Sequence, residues 1–153
     1  MHIGFTGTRR GMTCPQATRI LDIYSELVFK QNGVFPEALD LHHGDCVGAD
    51  LEMHLMIRSN HRNSRIIGHP PILDDYRAFC DFDITDEPLP YLTRNEKIID
   101  STQLLIAAPN SKSANIRSGT WYTVQKARDR IFHYNDYKLV IVYPDGSTNA
   151  NSG

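Results

Sequence analysis

No run of about 18 apolar residues occurs in the chain, so no segment reads as a membrane-spanning helix. The first residues lack a basic stretch followed by an apolar one, so no secretory signal is read there. An excess of one charge is also missing: 16 Lys and Arg stand against 18 Asp and Glu, a formal net charge of -2. Coating nucleic acid by charge alone needs many unpaired cations, which this balance excludes, although a local positive patch remains compatible with it. Cysteine is scarce. Cys14, Cys46 and Cys80 are widely spaced and form no Cys-x-x-Cys pair, which argues against a disulfide framework and for a reducing cytoplasm.

What is present fits one domain. A chain of 153 residues buries roughly 68–70% of its unfolded surface and needs no disulfide or metal staple. Residues 1–146 are expected to form that domain, and 147–153 a polar, disordered tail. Met1 to Thr6 reads as an apolar strand, followed by the loop Gly7 to Met12. Thr13 and Gln16 have the spacing of a capping box. Behind them Ala17, Ile20, Leu21, Tyr24, Leu27 and Val28 make one helical stripe, stopped by Asn32-Gly33. A second strand ends at His42-His43-Gly44, and the turn Asp45 to Asp50 leads into a helix carrying Leu51, His54, Leu55 and Arg58. Arg65 to His69 is a third strand, and Ile72 to Leu89 a long surface excursion without a clean period. A helix over Tyr91 to Asp100 follows, with Leu92, Ile98 and Ile99 inward. The rest reads as strand Gln103 to Ala108, a helix opened by Ser118-Gly119-Thr120 and strand Lys138 to Tyr143. The alternation predicts an α/β fold: a Rossmann-like, doubly wound, mainly parallel sheet of five strands with helices on both faces.

Ligands of such sheets sit beyond the carboxyl ends of the strands. After the first strand, Gly7, Thr8, Arg9 and Arg10 offer backbone amides and cations to an anion, or else a tight turn with two solvated arginines. After the second, Gly44, Asp45, Gly48, Ala49 and Asp50 mark a close backbone approach and a helix start. Asp50 suits vicinal ribose hydroxyls or, equally, the helix dipole. Arg94 and Asn95 precede the fourth strand, where Arg94 is either a cation aimed into the cleft or half of a surface salt bridge. Ser118, Gly119, Thr120 and Thr123 compose a second helix-start cradle. Trp121 stacks on a base or, more commonly, anchors the helix in the core. His42 and His43 are strand neighbours on opposite faces, and no zinc spacing accompanies them, so no metal and no cofactor is expected.

Taken in order, four stretches resemble the SMF/DprA–LOG (SLOG) superfamily of Rossmann-like nucleotide-binding domains, in particular its small single-domain members and the core of DprA. They are Gly4-Phe5-Thr6-Gly7-Thr8-Arg9, Gly44 to Asp50, Arg94-Asn95-Glu96-Lys97-Ile98-Ile99, and Ser118-Gly119-Thr120-x-x-Thr123. The resemblance implies a nucleotide or ADP-ribose-like ligand at the strand ends. It implies, as alternatives, an N-glycosidic hydrolase of nucleoside phosphates or a DprA-like partner of single-stranded DNA and a recombinase; a homo-oligomer is compatible with it. For catalysis it points to Arg94, with Asp50, or else Asp45 or Asp100, as the substitute carboxylate. Thr123 stands where LOG enzymes carry their glutamate, and a threonine cannot act as that carboxylate.

Overall fold

The computed structural model describes residues 1–31, 39–115 and 117–149. Strand β1 (His2–Gly7) is buried from Ile3 to Thr6. It is followed by α1 (Cys14–Gln31), β2 (Asp40–His43), α2 (Ala49–Asn60), β3 (Arg65–Gly68), β4 (Ile84–Thr85), α3 (Tyr91–Asp100), β5 (Leu104–Ala108), α4 (Gly119–Tyr134) and β6 (Lys138–Ile141). The strands form one sheet in the order β4-β3-β2-β1-β5-β6, every neighbouring pair parallel. This is the expected doubly wound α/β fold with one strand more than the five expected. The addition, β4, lies inside the Ile72–Leu89 excursion, and two residues are too few for a strand period to show.

Side chains alternate across β5 and feed two cores. Leu104, Ile106 and Ala108 join Ile20 and Tyr24 of α1 and Met53 and Ile57 of α2 on one face. Leu105 and Ala107 join Ile99, Trp121, Val124 and Ala127 on the other. Full burial of each large aliphatic residue contributes about 1.5–3 kcal/mol.

Local signals explain where the helices begin. Thr13 N donates to Gln16 Oε1 at 3.3 Å and Gln16 N to Thr13 Oγ1 at 3.2 Å, a reciprocal capping box. The expected stop at Asn32-Gly33 lies outside the described residues. On α2, Met53, His54 and Ile57 are buried, whereas Leu55 is 56% exposed. The phase is set by contact, because a Cβ on Gly7 would collide with the Ala49 side chain. On α3, Ile98 and Ile99 are buried as expected, but Leu92 faces out and the polar Arg94 and Asn95 face in. Beyond β6, Tyr143 N donates to Ser147 O at 2.8 Å and Asn149 N to Ile141 O at 3.2 Å. The first residues of the expected tail thus pair back onto the sheet edge. Among the described residues no helix is long and apolar enough to cross a membrane.

Candidate functional site

The order of strands reverses between β1 and β5, where a parallel sheet ordinarily opens a crevice. Here that point is tied shut. Thr8 N donates to Ala108 O at 3.0 Å, and Gln16 Nε2 donates to Pro109 O at 2.8 Å and Val142 O at 2.7 Å. The open space lies beside it, over the ends of β2 and β3: a cavity of about 450 Å³. Arg9 enters it from the β1–α1 loop, Cys46 from the β2–α2 turn, and Pro71 from the end of β3. Ile72, Leu73, Asp75 and Tyr76 come from the excursion, and Pro90 and Tyr91 from the start of α3.

In the first loop the amides of Thr8, Arg10, Gly11 and Met12 are engaged within the fold. Thr8 O accepts the amides of Gly11 and Ala49, Thr8 Oγ1 accepts that of Arg10, and Glu52 Oε1 accepts that of Met12. The expected amide cradle over Gly7 to Arg10 is therefore largely satisfied from within. Its remaining anion-directed group is the Arg9 side chain, whose guanidinium lies 4.1 Å over the Tyr76 ring. Arg10 is exposed but does not line the cavity. Gly48, at φ 86°, brings the second turn against the first, and a Cβ there would collide with the Arg9 carbonyl.

Arg94 does not aim into the cleft. It is 2% exposed, and Nη1 donates to Gly44 O and, at 3.0 Å, to His69 O. Nε donates to Asn95 Oδ1 at 2.7 Å, while Nη2 lies 3.6 Å from Cys46 Sγ. The guanidinium clamps the ends of β2 and β3 together, which occupies Gly44 and Asn95 as well. It spends its donors beneath the cavity because those carbonyls have left the sheet ladder and need partners.

Asp50 is buried behind the same turn. Its Oδ2 accepts from Cys46 N at 3.1 Å, and its Oδ1 has no hydrogen-bond partner among the described residues. Burial pushes its carboxyl up to about 6, against the opposing pull of Arg94. Burial, with Asp50 alongside, likewise pushes the Cys46 thiol up to about 11, so the wall presents a neutral thiol. Asp45, fully buried at φ 59°, faces the excursion instead of the cavity. It accepts from Arg77 Nε at 2.7 Å and Cys80 N at 2.8 Å.

At α4, Ser118 Oγ caps the helix by accepting Trp121 N at 3.3 Å. Thr123 Oγ1 donates back to Gly119 O at 2.9 Å; Thr120 and Thr123 are buried, and Trp121 packs with Leu105 and Val124. Trp121 is thus the core anchor of its helix and does not line this cavity. None of this cradle lines the cavity; Gly119 touches its wall indirectly, packing against Tyr91 so closely that a Cβ would collide with the Tyr91 hydroxyl.

Sequence reasoning missed the walls: Tyr76, Tyr91, Pro71 and the apolar Ile72 and Leu73. The one signal for them is position, since the Pro70-Pro71 end of β3 lies on the ligand edge of such a sheet.

Two histidine chains cross the fold on opposite faces of β2. His2 Nδ1 lies 2.8 Å from His42 Nε2, His42 Nδ1 lies 2.8 Å from His69 Nε2, and His69 Nδ1 lies 3.3 Å from Asp86 Oδ2. Burial holds His42 down to about 3 and His69 down to about 4. On the other face His43, His54 and Cys80 bring ligand-type atoms within 4.8 Å of one another. That chain has another use. The Asp45 amide donates to His43 Nδ1 at 3.0 Å, which puts the His43 proton on Nε2, facing His54 Nδ1 at 2.9 Å. The lone pair that a cation would need from His43 is thereby engaged. A separate groove of about 520 Å³ between α3 and α4 lies towards the starts of β5 and β6. Its charges pair internally, Lys126 with Glu96 at 3.4 Å and Arg130 with Asp136 at 3.2 Å.

No protein-family model matches the chain, and no curated protein matches it. Solved structures of similar fold include the molybdenum cofactor binding protein from the phototrophic bacterium Rippkaea orientalis. It has a TM-score of 0.63 and 17% identity, over 93% of this chain and 76% of that one. The X-ray structure of TM1055, a structural genomics target, has a TM-score of 0.50 and 12% identity, over 82% of this chain and 67% of that one. At these identities the likeness is one of fold.

Proposed function

We propose that the chain binds a nucleotide or nucleotide-derived, ADP-ribose-like ligand in the cavity over the ends of β2 and β3. The observation that carries this reading is the cavity itself: about 450 Å³, walled by Tyr76, Tyr91, Pro71 and Pro90, with Arg9 as the cation on its lining. Ligand sites of this class span about 300–1,000 Å³ and combine apolar walls with a few placed polar groups. Aromatic and proline walls accept a planar base, and a guanidinium accepts a phosphate. Recognition rests on the Arg9 side chain, because the amides of Thr8, Arg10, Gly11 and Met12 are engaged elsewhere. The resemblance to the SLOG superfamily supports the same ligand class.

A thermal-shift and calorimetric panel of nucleoside mono- and diphosphates, NAD and ADP-ribose tests it. The molybdenum cofactor belongs in the panel because the Rippkaea orientalis protein is described as binding it. A ligand at 100 times its dissociation constant stabilises by about 2.7 kcal/mol. Arg9→Ala should remove that stabilisation, and a panel without one stabilised member defeats the reading. N-glycosidic hydrolysis stays a second reading on one observation: Asp75 puts a carboxylate on the cavity wall, which Asp50 does not. Release of free base from a nucleoside monophosphate, lost in Asp75→Asn, would establish it.

A further inference from the structure

Arg9 is exposed, on a loop, and long; left alone, such a side chain samples many rotamers and loses entropy on binding an anion. Its guanidinium is nevertheless parked 4.1 Å over the Tyr76 ring, and both residues line the cavity. Tyr76 comes from a different part of the chain, and its own position is imposed. Val47 N donates to Tyr76 O at 2.9 Å, and the following residues are gripped from inside the fold, Arg77 by the Asp45 carboxylate at 2.7 Å and Ala78 N by Asp45 O at 2.7 Å. The backbone at Tyr76 is thus fixed, while its side chain, 56% exposed, contributes little to the core.

Resting on the nucleotide reading above, we infer that Tyr76 is a positioning residue, which holds Arg9 in the orientation that receives the ligand's anionic group. The excursion then does more than wall the cavity: it sets the geometry of a cation carried by the β1–α1 loop. The contact is a cation–π stack with an electron-rich ring face, so Phe or Trp should replace Tyr and Ala should not. Because the anchoring bonds are backbone bonds and Asp45 contacts, Tyr76→Ala removes the stack without removing what holds the segment.

The test compares wild type, Tyr76→Ala, Tyr76→Phe and Arg9→Ala, titrated calorimetrically with AMP, ADP-ribose and inorganic pyrophosphate. Proton NMR of the Arg9 side chain in the absence of ligand runs alongside. Tyr76→Ala should weaken binding about 2- to 30-fold, the range to which a cation–π contact converts, and Tyr76→Phe should bind like wild type. Arg9→Ala in the Tyr76→Ala background should add less than it does alone. The Arg9 methylene protons should be displaced upfield by the ring in wild type and Tyr76→Phe but not in Tyr76→Ala. If wild type binds a probe and Tyr76→Ala binds it equally well, or if the upfield displacement is missing in wild type, the positioning role is wrong while the nucleotide reading stands. If wild type binds none of the probes, the nucleotide reading falls and this inference falls with it.

Discussion

Asp45 holds Arg77 from within the fold: Arg77 Nε donates to Asp45 Oδ2 at 2.7 Å, and the carboxylate is completely buried. Its second oxygen takes the amide of Cys80 at 2.8 Å. One carboxylate therefore ties the 72–89 segment to the end of β2. Asp45→Ala leaves the partly buried Arg77 guanidinium with only the Asp74 carboxylate, 3.9 Å away, and the Cys80 amide without its acceptor, and is expected to cost about 3 kcal/mol. Asp45→Asn keeps an acceptor and tolerates the positive φ, so it should cost less. Urea denaturation of the two variants checks the order; equal midpoints for Ala and wild type would contradict it.

Asp50→Asn is expected to stabilise the protein at neutral pH. The carboxyl of Asp50 is raised from 3.8 to about 6 in the folded state. A raised folded value means that its favourable contribution is complete below about pH 4 and is lost as pH rises through about 6. A shift of that size corresponds to about 3 kcal/mol, and the asparagine can still accept the Cys46 amide. Folding free energies of the two proteins between pH 4 and 7 should diverge as pH rises. A variant less stable than wild type at pH 7 would overturn this account.

The histidine chain acts in the opposite direction. His42 and His69 are held at about 3 and about 4, below the ordinary 6.5, because burial disfavours their charged forms. Their contribution is present above pH 6.5 and is lost as pH falls towards those values, since the unfolded chain then binds more protons. Each costs about 1.4 kcal/mol per pH unit over that interval. His69→Asn should flatten the acid limb of a stability profile by one proton. An unchanged slope from pH 6.5 to 4.5 would show that His69 does not titrate this way.

Gly48 and Gly119 separate stability from binding. Alanine at Gly48 meets both a φ of 86° and the Arg9 backbone, and should cost about 2 kcal/mol or more. Alanine at Gly119 meets the end of the Tyr91 side chain, which can swing away at a stability cost below about 1 kcal/mol. It should nevertheless weaken ligand binding, because Tyr91 walls the cavity. Denaturation and titration of both variants decide the matter, and a Gly119→Ala protein with wild-type affinity would remove Tyr91 from the site.

The fold was legible wherever chain pattern and burial coincide. The apolar run of Leu104 to Ala108 marks a strand covered on both faces, and the Thr13–Gln16 box marks a helix start. β4 was not legible, because its two residues are exposed and carry no pattern. The phase of α2 was not legible, because a tertiary contact, Ala49 against Gly7, sets it. For the site, the glycines and charged residues were found, but their roles depend on direction. Arg9 opens to the cavity, whereas Arg94, Asp45 and Asp50 turn inward to satisfy strand-end carbonyls, the excursion and the turn amides. Tyr76 and Tyr91 carry no motif of their own; their one signal is position, since the excursion and the start of α3 run past the ligand edge of the sheet.

The strand order has a bearing on synthesis. β1 is central, with β2 on one side and β5 on the other, yet β5 follows it by roughly a hundred residues. At about 5–20 residues per second, the ribosome takes on the order of 5–20 s to supply that second neighbour. Throughout the interval β1, with Ile3 and Phe5 destined for the core, has an open hydrogen-bonding edge. The nascent chain is therefore most exposed to mispairing and chaperone capture before Leu104 to Ala108 emerges.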